Sequence, residues 1–410
     1  MPTSNEPAVR ATPGCSASRL ESELLEILQE PISSVKERER TELDRLLAGT
    51  NNRCVLFGAG SLGRSASDAL KNIGIQPLAM SDNNRTLRGT TVDGTPLLSP
   101  VEAAERFGKD ALFIITIRNE FHWYRKTLEQ LSSLGCRHIA SSLSLSWRFP
   151  KTFLPFLLYD LPHKLYEQAD QVLLAAQLWE DGASRAEYLA NIRLRALGDP
   201  SELSEPAEEE SYFLDGVFDA EEGDTLVDCG AFDGDTIRSL IAREPCLGAI
   251  DAVEADSNSF AKLDAFVKTL APGIRDKIRL HKCAVGAEQG EVRFENDGTV
   301  DSKISVTGGT VVEMMRIDDL CASAPVSMIK MDIEGGEFDA LLGAKQVIQR
   351  DRPILAICAY HLQEDIWRLP LLIRRLCPEY RMYLKAYRGD AIQTVVYAVP
   401  PERVRGARKS

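Results

Sequence analysis

The segment TLVDCGAFDGDTIRSLI, residues 225–241, restricts what this chain can fold into more than any other. Its opening apolar run, Thr225 to Val227, reads as a short buried strand. Asp228 stands at the strand's end, glycines follow at 230 and 234, and Ile237, Leu240 and Ile241 recur at helical spacing. A strand, a glycine turn and a helix N-terminus let backbone approach a nucleotide closely. The turn is acidic, with Asp228, Asp233 and Asp235. Carboxylates make a poor cradle for a pyrophosphate and a better one for a cationic, hydroxyl-rich ligand.

The same alternation continues to the C-terminus. GAIDAVEAD (248–256) is a second strand carrying Glu254 at its end, about 20 residues beyond Gly234, where a ribose-binding acid falls. KIRLHKCAVG reads as a third strand, EVRFEN follows a Gln289-Gly290 turn, and VVEMMRIDDLC passes from strand to short helix. VSMIKMDIEGG (326–336) and PILAICAYH (353–361) are further buried strands. EYRMYLKAYR and IQTVVYAV, joined through Gly389-Asp390, predict an antiparallel hairpin finishing a mostly parallel sheet.

An earlier stretch repeats the pattern. Strand Cys54–Phe57 leads into Gly58-Ala59-Gly60-Ser61-Leu62-Gly63, a helix through Ala66 and Leu70, and a strand ending on Asp82. ALFIITI (111–117) and RHIASS are two more strands around a helix from Glu120 to Leu134, so a small doubly wound unit is expected. Gly58, Gly60, Gly63 and Asp82 are its candidate nucleotide site; the alternative is a scaffold whose glycines serve only the turn. The expected organisation is a disordered lead-in (1–18), a helix pair (19–49), a Rossmann-like unit (50–145), a helical connector with an acidic linker (146–211), the larger domain (212–400) and a basic tail (401–410).

Composition removes several classes. At 410 residues, two or three domains are expected. A net charge of −13 argues against a nucleic-acid partner, which needs clustered Lys and Arg. No apolar run approaches the ~18 residues of a membrane span. The nine cysteines form no close pairs of metal-ligand spacing, which points to a reducing cytoplasm without disulfides or structural zinc.

Four ordered blocks then resemble the FkbM family of S-adenosylmethionine-dependent methyltransferases over about residues 212–399: VDCGAFDGDT, AVEADSNSF, AVGAEQGEVRF and IKMDIEGGEFDALLGAKQVIQRDRPILAICAYH. Two departures are Gly-Ala-Phe-Asp where the family often has Gly-Ala-Asn, and Glu254-Ala255 where it often has Glu-Pro. The resemblance implies a class I methyltransferase sheet with S-adenosylmethionine as cofactor. It implies that Asp228, Gly230, Phe232, Asp233 and Gly234 line the methionine and ribose side. Glu254 would accept from both ribose hydroxyls, and Asp301 and Ser302 would sit near the adenine. The front unit resembles, more loosely, nucleotide-sugar-binding units of sugar-modifying acyltransferases.

Asp332 and Glu334, at a strand's C-terminal end, are the candidate catalytic acids, their i, i+2 spacing facing one way if the strand continues that far. One would be the base for a hydroxyl acceptor and the other would orient the acceptor or the cofactor amine. Alternatively Asp332 contacts only cofactor and Glu334 caps a helix. Lys330 would steady an acidic acceptor or pair with Asp332, and His361 is an alternative base. Two carboxylates at one strand end suit a divalent metal, but without further ligands in view no metal is expected. The expectation is O-methylation of a small-molecule or glycan acceptor, a sugar or glycoconjugate, with a nucleotide-sugar as possible partner and homo-oligomer formation open. The competing readings are a nicotinamide-dependent oxidoreductase or epimerase built on Gly58–Asp82, and a non-catalytic nucleotide sensor.

Overall fold

The computed structural model describes residues 14–405 except 88, 208–211, 244–247, 296–302, 305–309 and 323. The front unit holds strands β1 (Cys54–Phe57), β2 (Ala79–Ser81), β3 (Thr91–Val92), β4 (Thr95–Leu98), β5 (Leu112–Ile115) and β6 (His138–Ser141). They form one sheet in the order β3-β4-β2-β1-β5-β6. All neighbours are parallel except the β3–β4 hairpin. That hairpin was not read from the sequence: β3 is two residues long and β4 contains Pro96, so neither carries an apolar run.

The larger unit continues with β7 (Leu226–Cys229), β8 (Ile250–Val253), β9 (Ile278–His281), β10 (Ala284–Val285), β11 (Gly290–Glu295), β12 (Lys303–Ile304) and β13 (Thr310–Met315). β14 (Met328–Met331), β15 (Ile354–Cys358), β16 (Arg381–Ala386) and β17 (Thr394–Val399) complete it. Seven strands form a sheet in the order β16-β17-β15-β14-β7-β8-β9. Only β17 runs against its neighbours, pairing antiparallel with both β15 and β16. Every residue of β7, β8, β14 and β15 is buried, as a parallel sheet covered on both faces requires. Strand order reverses between β7 and β14, which opens a crevice at their carboxyl ends.

KIRLHKCAVG does not form one strand. It breaks after His281, and β10 leaves for a separate four-stranded sheet, β10-β13-β11-β12. β9 is an edge strand of partly exposed residues, so little holds the following segment in the main sheet.

The two units are packed together. Helix Ala17–Leu28 buries Leu20, Leu24 and Ile27 in the core of the larger unit, while the next, Ile32–Ala48, buries Leu43 and Leu47 against the front sheet. The first part of the expected linker is docked rather than free: Leu203 is buried and Ala207 N donates to Tyr387 O at 2.9 Å. At the β16–β17 tip, a Cβ on Gly389 would come within 1.7 Å of His122 O, so the larger unit's hairpin abuts the front one. The cysteines among the described residues are all buried and unbridged. No helix among the described residues is long and apolar enough to cross a membrane.

Candidate active site

The glycine turn after β7 is locked to the loop after β14. Gly230 has φ +77°, and a Cβ there would lie 1.9 Å from Asp332 O. Gly234 has φ +93°, and its Cβ would meet the Phe266 ring at 2.5 Å. Both positions therefore need glycine for conformation and for space.

Asp228 is fully buried beneath this turn. Lys330, 2% exposed, places Nζ 3.1 Å from Asp228 Oδ1 and donates to Gly230 O at 2.6 Å. Lys330 thus pairs with Asp228 and braces the turn from below, rather than reaching an acceptor as one sequence reading had it. Burial raises the Asp228 carboxyl above its ordinary value, and Lys330 lowers it in part. Despite the ion-pair distance, neither Asp228 oxygen makes a hydrogen bond of good geometry.

Glu254, 9% exposed, accepts from Phe232 N at 2.8 Å with Oε2 and from Asp256 N at 2.7 Å with Oε1. A carboxylate has about four lone-pair sites, so each oxygen keeps capacity for one further donor. Phe232 sits at φ +47°, is 37% exposed with its ring beside Lys262, and its amide ties the turn to Glu254. Asp233 is drawn away to Arg238, with which it forms an ion pair. Asp301 and Ser302 lie outside the described residues.

Strand β14 ends at Met331, so Asp332 and Glu334 are loop residues and the two-residue strand periodicity does not apply to them. Glu334 turns back with φ +56°. The acids still converge, because both reach His361 at the end of β15: Nε2 is 3.2 Å from Asp332 Oδ1 and 3.6 Å from Glu334 Oε2. Asp332 also accepts from Tyr212 OH at 2.7 Å and Tyr360 OH at 3.0 Å. Burial alone would raise its carboxyl, but the bonds and charges of His361, Lys330 and Tyr212 hold it well below the usual range.

His361 is buried, and its Nδ1 lies 2.8 Å from Glu337 Oε1. Burial would lower the imidazole, yet Glu337 and Asp332 raise it well above its ordinary value. With acids at both ring nitrogens, it is poorly placed for the alternative-base role. Glu337 and Asp365 were not read as site residues, and Tyr212, just upstream of the sheet, was open as a lid over the site or as core. Glu337 stands three and four positions before fully buried Ala340 and Leu341, and Asp365 four before fully buried Leu369. An acid on the apolar stripe of a helix was the available sign.

The front unit builds the same device. Asp82 Oδ2 accepts from Ala59 N at 2.9 Å and Oδ1 from Asn84 N at 2.8 Å, matching the two bonds of Glu254. Gly58 (φ +120°) and Gly63 are needed for close packing, with added Cβ atoms 2.6 Å from Thr116 O and 1.9 Å from Gly58 O; Gly60 faces open space. Beside this turn, an open cleft is lined by Arg118, His122, Ser141, Tyr159 and Asp390 of the hairpin tip.

Residues 228–389 match the family model for the methyltransferase FkbM domain. The larger unit carries a methyltransferase domain of the FkbM type. A crystal structure of methyltransferase FkbM from Methylobacillus flagellatus KT superposes with a TM-score of 0.74 at 20% identity. It covers 93% of this chain and 100% of its own, so the front unit and connector share the fold of that protein too. Aeropyrum pernix fibrillarin with natively bound S-adenosyl-L-methionine overlaps 44% of this chain and 67% of its own, at 12% identity and a TM-score of 0.29, too low to say more. Among curated proteins, none matches the sequence. The seven-stranded sheet with one reversed strand is the class I methyltransferase arrangement expected from the sequence.

Proposed function

We propose that this FkbM methyltransferase uses S-adenosylmethionine to methylate a hydroxyl of a sugar or glycoconjugate. The observation that carries the cofactor assignment is the pairing of Asp228 and Glu254 across the glycine turn. Glu254 keeps acceptor capacity on both oxygens, suited to a ribose diol, while Asp228, paired with Lys330, holds the glycine turn beside it. When bound, S-adenosylmethionine supplies an electrophilic methyl on a positively charged sulfur.

The acceptor approaches from the rim formed by Asp332, Glu334 and His361. There an acceptor hydroxyl would take the methyl that the bound cofactor supplies, with the bonding pair left on sulfur. The hydroxyl proton passes to Glu334, the more open of the two acids, with its side chain 27% exposed against 18% for Asp332. Asp332, held by two tyrosines, orients the hydroxyl. Lys330 positions Asp228 and the turn. The sugar assignment draws on the front unit, whose Asp82 repeats the bonding of Glu254 and would serve a second ribose or sugar.

Incubating the purified protein with S-adenosylmethionine and a panel of sugars, nucleotide-sugars and amines tests this reading. Expected are S-adenosylhomocysteine and a methyl ether, with Glu334→Gln lowering turnover about 10²-fold while cofactor affinity holds. Turnover on amines alone would overturn it.

A further inference from the structure

The front sheet has its own reversal of strand order. β1 lies between β2 and β5, and the chain passes first to β2 and only later to β5. Open parallel sheets take ligands in the crevice outside the carboxyl ends of the strands at such a point. A cleft lies there, lined by Leu62 from the helix after β1, Ile117 and Arg118 from the end of β5, and Ser141 from the end of β6. The larger unit closes it, because the tip of its β16–β17 hairpin contributes Asp390 and Ile392.

Arg118 stays open to solvent. Among the described residues its guanidinium meets the Phe156 ring, 3.7 Å from the ring centre, but no carboxylate at ion-pair distance. Crowding by protein still holds it below its ordinary value, and Tyr159 and Asp390 offset this only in part. Stacking fixes the plane of the guanidinium and leaves its N–H fork available, which is the arrangement that binds a phosphate through two oxygens.

A second polar group in the same wall lacks a partner. His122, with a side chain 9% exposed, has Nδ1 without a hydrogen bond, 3.7 Å from Asp390 Oδ2. Its other nitrogen is already held, Nε2 lying 2.9 Å from Thr127 Oγ1. Two groups at that separation can share one ligand hydroxyl at ordinary bond lengths of about 2.8 Å. The tip is fixed in place for this: Tyr159 OH donates to Asp390 O at 3.0 Å, and Gly389 N donates to Glu120 O at 2.5 Å. Asp390, Ala391 and Gln393 all hold positive φ, at +58°, +63° and +53°, a backbone state that collects at ligand clamps.

We propose that this cleft binds a phosphorylated sugar, free or within a nucleotide sugar, between the two units. Arg118 takes the phosphate, and His122 with Asp390 takes a sugar hydroxyl. The larger unit therefore supplies part of a site that the front sheet cannot complete alone. This site does not rest on the methyl-transfer reading.

The test is calorimetric titration of the full-length protein with hexose 1-phosphates, uridine diphosphate hexoses, the free hexoses and inorganic phosphate. Saturable binding of a phosphorylated sugar, one per chain, is expected, with the free hexose at least about tenfold weaker. Arg118→Gln should weaken the phosphorylated sugar at least about tenfold, and Asp390→Asn about threefold without changing the affinity for inorganic phosphate. Both variants should keep the parent's thermal melt. No saturable binding of any phosphorylated sugar at millimolar concentration overturns the site, as does binding indifferent to Arg118→Gln. S-adenosylhomocysteine is titrated in parallel. Sugar-phosphate binding without it keeps the cleft and removes the methyl-transfer reading; the converse removes the cleft alone.

Discussion

Replacing Gly230 with alanine tests how the cofactor turn and the catalytic loop are joined. The substitution carries two costs. A non-glycine residue held at φ +77° is disfavoured by about 1–2 kcal/mol. Its Cβ would also lie 1.9 Å from Asp332 O, so that the loop must withdraw by about 1.5 Å to reach an ordinary contact. That carbonyl belongs to the residue whose carboxylate meets Tyr212, Tyr360 and His361, and a displacement of this size costs on the order of 10²-fold in rate. Gly216→Ala is the control, because Gly216 has φ +86° with nothing within 4 Å of the added carbon. Both variants should lower Tm by a few degrees, at about 2–4 °C per kcal/mol. Only Gly230→Ala should weaken S-adenosylhomocysteine binding in calorimetry, by at least tenfold. A folded Gly230→Ala protein binding within twofold of the parent would refute the coupling.

Two further perturbations concern buried charge. Lys330→Met leaves Asp228 buried without a counter-charge and should cost about 3–5 kcal/mol in urea unfolding, much of it restored by adding Asp228→Asn; an unchanged midpoint for the single variant would contradict the bracing role. Burial would raise the Asp251 carboxyl, but Arg279 and His281 bring it down to about 2. A depressed folded value means that its stabilisation is complete above the unfolded value near 4 and is lost as pH falls through about 2. Melts of the parent and Asp251→Asn should therefore differ at pH 6, by up to about 2 kcal/mol because Arg279 is half exposed, and converge near pH 2; a constant difference would sink the assignment.

The strand-and-helix frame was legible because a parallel sheet buries both faces. Its inner strands then show as mostly apolar runs, as around Val227, Ile329 and Leu355, broken by Asp228, Asp251 and Lys330. The turn acids were legible for a related reason, since Asp228 and Glu254 interrupt or end such runs beside glycines. What escaped was supplied from a distance. Tyr212 reaches Asp332 from a segment before the sheet begins, and its role follows from a tertiary contact without a local pattern. Lys330 could be placed on β14 but its direction could not. Alternation gives the face, and only the partner strand, carrying Asp228 opposite it, fixes the contact. The i, i+2 argument for Asp332 and Glu334 failed because β14 stops at Met331 and Glu334 adopts left-handed backbone. Their convergence comes from His361 instead. The β3–β4 hairpin escaped because two-residue strands have no periodicity to read.

The most direct measurement is calorimetric titration of the full-length protein with S-adenosylmethionine and S-adenosylhomocysteine, repeated for Glu254→Ala and Asp82→Ala. The account predicts binding of one cofactor per chain, at least tenfold weaker in Glu254→Ala and unchanged in Asp82→Ala. Absence of binding to either compound at millimolar concentration, or binding lost with Asp82→Ala and kept with Glu254→Ala, would contradict it.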